Sequence, residues 1–212
     1  MIVLSHRGYW IDPAEKNTRA AFERSFSMGF GTETDVRDRG GRLVISHDMA
    51  DSQSMPVEDF FDIYCAHNKS LPLALNIKAD GLQFELKKII EIYGINNYFV
   101  FDMAVPDGLI YARNGFHTYT RHSEFEPEPA YYQLAKGVWL DEFHGHWVED
   151  DVILKHHRRG KAICIVSPEL HRREYLTEWS HYRRLDKQLG GDQLSICTDY
   201  PEQARIFFNA YY

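Results

Sequence analysis

The chain has 212 residues, enough for one domain with a substantial buried core, and its 44% apolar and 26% charged content is ordinary for a globular protein. A net charge of −7 argues against a nucleic-acid surface, which needs clustered Lys and Arg to neutralise phosphates. No apolar run reaches bilayer-spanning length and Met1 leads straight into Ile2-Val3-Leu4, so no membrane span and a cytoplasmic location are expected. The odd set Cys65, Cys164 and Cys197 lacks metal-ligand spacing, and two of the three lie in apolar runs as reduced, buried thiols.

In chain order, a predicted strand over 2–5 precedes a helix over 18–28. Strands over 31–36 and 43–46, joined through Gly40-Gly41, precede a helix over 57–65. Strand 73–77 leads to helix 83–93, and strand 98–101 to helix 108–113. Strands 117–120 and 137–140 are separated by Glu124-Phe125-Glu126-Pro127-Glu128-Pro129, an acidic, Pro-rich stretch that reads as a loop. Helix 148–157, strand 162–166, helix 169–187, strand 194–197 and helix 201–208 complete the pattern. Asp80 marks the start of helix 83–93, and Pro201 after Asp199 suits a first helical turn. The basic run Lys155-His156-His157-Arg158-Arg159 before Gly160 reads as a solvated helix C-terminus, favoured by the helix dipole. Strands alternating with helices imply a parallel sheet wrapped by helices. Nine strands exceed the eight of a closed barrel, so 43–46 is taken as an extension of the second strand. The expected fold is α/β, a single (β/α)8 TIM barrel domain spanning 1–212.

Barrel active sites form at the C-terminal ends of strands, and three clusters fall there: His6-Arg7-Gly8, Glu33-Thr34-Asp35 and His47-Asp48. Glu33 and Asp35 are two apart on a strand and share a face. Alone, such a pair is as often an exposed polar edge. Two carboxylates converging at the barrel mouth need a cation or proton between them, and a hard divalent ion, Mg²⁺ or Ca²⁺, suits an oxygen-rich site. Phosphodiester cleavage needs one base and one acid. His6 and His47 are the expected pair, because imidazole gives and takes protons near neutrality. Arg7 has the planar fork of donors that grips phosphate oxygens. Asp102 and Asp141, each following a predicted strand, are further candidates for the mouth; loop capping is the plainer reading of both.

These clusters, with Glu15-Lys16-Asn17-Thr18 and Ala21-Phe22 between them, resemble the glycerophosphodiester phosphodiesterase family. Its pattern runs His-Arg-Gly, Pro-Glu-Asn-Thr, Ala-Phe, Glu-x-Asp and His-Asp in this order. The match covers about the first fifty residues, with an echo in Thr198-Asp199-Tyr200-Pro201. The resemblance implies a barrel hydrolase that splits a small-molecule phosphodiester with one divalent cation. His6 and His47 would be acid and base, Arg7 would contact the phosphate, and Glu33 and Asp35 would be metal ligands. The family carries Glu-x-Lys on its third barrel strand. Here Asn76-Ile77-Lys78 stands there, so Lys78 is implied near the phosphate and Asn76 replaces the third acidic ligand. An amide oxygen binds Mg²⁺ or Ca²⁺ without supplying charge. Weaker metal affinity follows, and the alternative function is a phosphate-binding protein of the same fold with impaired catalysis. Val166-Ser167-Pro168-Glu169 also departs from the family's aromatic-rich segment near the seventh barrel strand.

Overall fold

Short apolar stretches of this chain pair in parallel, and the amphipathic segments between them pack outside. In a computed structural model describing residues 1–210, the elements run β1 (Ile2–His6), α1 (Arg19–Ser27), β2 (Gly31–Arg39), β3 (Arg42–Ile45), β4 (Met55–Pro56), α2 (Val57–Cys65), β5 (Leu73–Ile77), α3 (Gln83–Tyr93), β6 (Tyr98–Phe101), α4 (Val105–Arg113), β7 (Tyr119–His122), β8 (Gly137–Leu140), α5 (Asp150–Arg158), β9 (Ala162–Val166), α6 (Leu176–Gln188), β10 (Leu194–Thr198) and α7 (Pro201–Asn209). Parallel ladders join β7, β8, β9, β10, β1, β2, β5 and β6 in that order. Between β6 and β7 the ring is joined by a single parallel bridge, Val100 to Thr118, where the Val100 N–H donates to the His117 carbonyl at 2.9 Å. The fold is the expected (β/α)8 barrel, and β3 and β4 extend β2 as antiparallel strands.

Register determines which side chains meet inside. His6 lies opposite Glu33, Asp35 opposite Asn76, and Asn76 opposite Phe101, so all share the inner face. Beneath them Leu4, Ala74, Phe99, Phe101, Trp139, Cys164, Val166 and Cys197 form an apolar plug. Its rings stack, Phe99 on Tyr119 at 3.8 Å and Phe101 on Trp139 at 3.9 Å. Each such side chain contributes roughly 1.5–3 kcal/mol by burial, and together they give the polar mouth a dry floor. Outside the strands, one sector packs Phe22, Phe26, Phe60, Phe61 and Tyr64, and the other packs Val138, Ile163, Trp179 and Tyr182.

Several boundaries differ from expectation for local reasons. The strand expected over 117–120 forms at Tyr119–His122, because its ladder partner is β8, starting at Gly137. The helix expected over 169–187 is a 3-10 turn, Pro168–His171, and then α6; Arg172 at φ 60 separates them. The helix α4 begins at Val105, with Pro106 in the first turn where its missing N–H costs nothing. The helix α3 is preceded by Leu82 rather than capped by Asp80. The basic run does close α5, but His156 within it is 2% exposed, so it is not wholly solvated. All three cysteines are free thiols, Cys164 and Cys197 fully buried. Among the described residues, no helix is long and apolar enough to cross a membrane.

Candidate active site

Strand β1 ends at His6, and the next two residues turn through left-handed backbone, φ 59 at Arg7 and 82 at Gly8. A Cβ on Gly8 would lie 2.8 Å from the Ala21 Cβ, so only glycine lets α1 close over the turn. The Tyr9 N–H then donates to the Ala21 carbonyl at 3.0 Å, and the Asn17 N–H to the Arg7 carbonyl at 2.9 Å. The His-Arg-Gly and Ala-Phe segments of the sequence thus meet through their backbones. Arg7, a non-glycine at positive φ, has its N–H 3.1 Å from Glu33 Oε2 as an acceptor, an arrangement typical of strain held at a working site.

Glu33 and Asp35 are 1% and 0% exposed on the inner face of β2. Burial first, and then the Asp35 charge, push the Glu33 carboxyl up to about 8. Asp35 meets counter-charges: Arg7 Nε is 3.1 Å from its Oδ2 and Lys78 Nζ 3.4 Å from its Oδ1. Asn17 Nδ2 donates to Asp35 Oδ2 at 2.8 Å, while Asn17 Oδ1 accepts from the Thr34 hydroxyl at 2.9 Å. Asn76 sits across from Asp35 on β5. Among the described residues, Arg7 Nε, Asp35 Oδ1 and Asn76 Oδ1 are buried polar atoms without a hydrogen bond. Folded proteins rarely leave such atoms unless a ligand completes them. Asp35 Oδ1, ion-paired with Lys78 but not hydrogen-bonded, and Asn76 Oδ1 lie with the Glu33 carboxyl as a hard oxygen set of the kind that fits Mg²⁺ or Ca²⁺. No cluster of three or more His, Cys, Asp or Glu suited to a metal occurs among the described residues; here the third oxygen is the Asn76 amide.

His6 Nδ1 lies 2.7 Å from Asp199 Oδ1, and its Nε2 is 4.0 Å from Glu33 Oε2. Burial lowers the His6 pKa, with Asp199 opposing. Burial also raises that of Asp199, but the hydrogen bond and charge of His6, with Lys16, outweigh it and hold the carboxyl below its usual value. An ionised Asp199 only accepts, so Nδ1 carries the proton and neutral His6 presents a lone pair at Nε2. Lys16 Nζ is 3.4 Å from Asp199 Oδ2 and 4.4 Å from the centre of the Trp10 ring. The Asp199 N–H donates to Glu169 Oε1 at 3.1 Å, and Glu169 also accepts from the Ser167 and Thr198 hydroxyls.

His47 follows β3 on the rim, 42% exposed, with Nδ1 donating to Asp48 at 2.9 Å. It lines an open cleft of about 600 Å³ with Arg7, Lys16, Asn17, Ser46 and Asp48. His6, Arg7, Glu33, Asp35, Asn76 and Lys78 therefore gather in one layer, with His47 on the cleft that Arg7 shares. Asp102 and Asp141 are engaged elsewhere: Asp102 accepts from Arg121, and Asp141 from His171 Nε2 at 2.6 Å. A cavity of about 640 Å³ at the opposite end of the barrel, lined by Leu4, Phe99 and Tyr119 among others, has no comparable convergence of carboxylates. Sequence reasoning missed Asp199, Lys16, Asn17 and Glu169 as site residues. The Thr-Asp-x-Pro echo was the signal for Asp199, and the Lys16-Asn17 segment of the front motif for the next two.

No protein-family model and no curated protein matches this chain. Solved structures do. One, from Galdieria sulphuraria and assigned to the glycerophosphodiester phosphodiesterases, superposes at a TM-score of 0.77 with 16% identity, covering 99% of this chain and 98% of its own. The glycerophosphodiester phosphodiesterase of Agrobacterium tumefaciens superposes at 0.69 with 15% identity, covering 99% and 100%. A phosphodiesterase of Oleispira antarctica, in complex with the product sn-glycerol-3-phosphate, superposes at 0.68 with 15% identity, covering 99% and 97%. The chain shares its fold with these proteins over nearly its whole length.

Proposed function

We propose that the chain is a phosphodiesterase that hydrolyses glycerophosphodiesters or related sugar-alcohol phosphodiesters, with His6 and His47 as its base and acid. The observation that carries this reading is the His6–Asp199 pair, whose free Nε2 faces the layer holding Glu33, Asp35 and Asn76. Burial keeps His6 neutral at pH 7, so it takes the proton from the attacking oxygen. Asp199 stabilises the imidazolium that forms, as a carboxylate does behind any catalytic histidine. Exposed His47, acting in its doubly protonated form, gives the Nε2 proton to the leaving alcohol as the P–O bond breaks, and solvent restores it. Arg7 and Lys78 hold the phosphate oxygens; both already stand beside Asp35. Glu33, Asp35 and Asn76 are the residues that would hold a divalent cation, Mg²⁺ or Ca²⁺, which when bound offsets the negative charge developing on phosphorus. Residues 1–212 act as one unit, and the reduced thiols of Cys164 and Cys197 suit a cytoplasmic setting.

Asn76 favours one other reading, a phosphate-binding protein without turnover. Hydrolysis of bis(p-nitrophenyl) phosphate and of glycerophosphodiesters across Mg²⁺ and Ca²⁺ separates the two. Turnover abolished by chelator, and by His6→Ala or His47→Ala, supports the enzyme. Binding of phosphate esters with no turnover under any ion supports the binder.

A further inference from the structure

Six ionisable side chains meet at the mouth: Glu33, Asp35 and Asp199 with Arg7, Lys16 and Lys78. Arg7 and Lys78 both stand against Asp35, and Lys16 stands against Asp199. The Asp35 and Asp199 carboxylates are therefore already matched by cations of the protein itself. A third acidic ligand would leave a surplus negative charge for a cation, but position 76, in register with Asp35, is an amide. A divalent ion entering alone would bring two positive charges into a layer where the Arg7 and Lys78 cations lie 3.1 and 3.4 Å from the same carboxylate. An ion sharing that carboxylate would be repelled by both cations in a poorly solvated site. A phosphate ester entering alone would meet buried carboxylates. Entering together, they neutralise one another, and the ester draws Arg7 and Lys78 off Asp35 and frees its oxygens.

We propose that Asn76 makes this a co-dependent site, in which the divalent cation and the phosphate ester each bind tightly only when the other is present. The proposal rests on the phosphodiesterase reading and adds how its ligands are admitted. A resting protein would then hold little metal, and the substrate itself would complete the site. Coupling of this kind is reciprocal, and typical values run from about 5- to 150-fold.

Isothermal calorimetry on the whole chain tests it. Mg²⁺ and Ca²⁺ are titrated with and without saturating sn-glycerol 3-phosphate, and the ester is titrated with and without each ion. The expected result is an ion affinity at least about tenfold tighter with the ester present, and the same factor for the ester with the ion. In Asn76→Glu the ion should bind more tightly alone and the factor should shrink. Lys78→Met, which removes one competing cation, should also tighten ion binding without ester, and it keeps the test open if the buried glutamate impairs folding. Equal ion affinity with and without ester in the wild-type chain overturns the coupling but leaves the phosphodiesterase reading standing. An ester that binds under no ion condition overturns both.

Discussion

The two sides of the barrel mouth treat their charges differently. On β1, β2 and β5, Arg7 Nε, Asp35 Oδ1 and Asn76 Oδ1 are buried without hydrogen bonds, and the Glu33 carboxyl is held far above its usual value by burial and its neighbour. On β6, β7 and β8 the charges close on one another. Arg121 meets both Asp102 and Glu126 and lies over the Phe143 ring, and Asp141 meets His171. The histidines of that side face the helical layer, where His122 Nδ1 is 2.9 Å from His156 Nε2 and Tyr132 is hydrogen-bonded to His156. Both sides carry residue types able to do acid–base chemistry. The first gathers its unbonded polar atoms with two buried carboxyls in one layer of facing strands, and that convergence, rather than residue type, is what points to it as the proposed reactive half.

The contrast breaks most visibly at His6. His6→Ala should lower kcat by about 10³-fold, the usual scale for losing a positioned general base, with glycerophosphodiester turnover as the readout. Equal activity would mean that the chemistry lies elsewhere. Asp199→Asn should cost about 10²-fold or more, since the imidazole loses the partner that holds its tautomer. That variant also sharpens the assignment of His6 as base. Activity in the wild type should fall as pH drops through the His6 pKa, at a value below that of a free histidine, because protonation removes the lone pair. Asp199 raises the His6 pKa, so its replacement should move this acidic limb to lower pH still.

The second half should respond in stability rather than rate. Arg121→Leu leaves Asp102 unpaired at a largely buried position and should cost about 1–3 kcal/mol in denaturant unfolding, with kcat unchanged. A large loss of kcat would bring β7 into the site. The smallest effect concerns His156, which burial, with His122 and nearby cations, lowers to about 4. Between about pH 4 and the ordinary histidine value the unfolded chain binds more protons there than the folded one, so stability should fall as pH drops through that window. His156→Phe should flatten the slope, measured as thermal midpoints at pH 5 and pH 7.

How far the fold could be read in advance depended on what each residue's signal is made of. The strands β6, β8 and β9 are continuous apolar runs and β5 is interrupted only by Asn76, and their ends were read to the residue. The two-residue strand β4 carries no periodicity and was not expected. The loop between β7 and β8 was legible through its acidic Pro-rich stretch, which also explains why no helix separates that pair. At the site, strand parity was enough to align Glu33 with Asp35. His6 and Asp199 are 193 positions apart, and only closure of the barrel brings β10 beside β1. The supporting role of Glu169 depends in addition on the 3-10 turn after β9, whose helical-looking sequence concealed the break at Arg172.

The most direct test of the central claim follows phosphorus itself, by ³¹P NMR of a glycerophosphodiester incubated with the chain and Mg²⁺ or Ca²⁺. The account predicts that the diester resonance gives way to a phosphomonoester with the wild-type protein and persists with His6→Ala and with His47→Ala. Conversion at the same rate by either variant, or a diester resonance untouched by the wild-type protein under both ions, would contradict it.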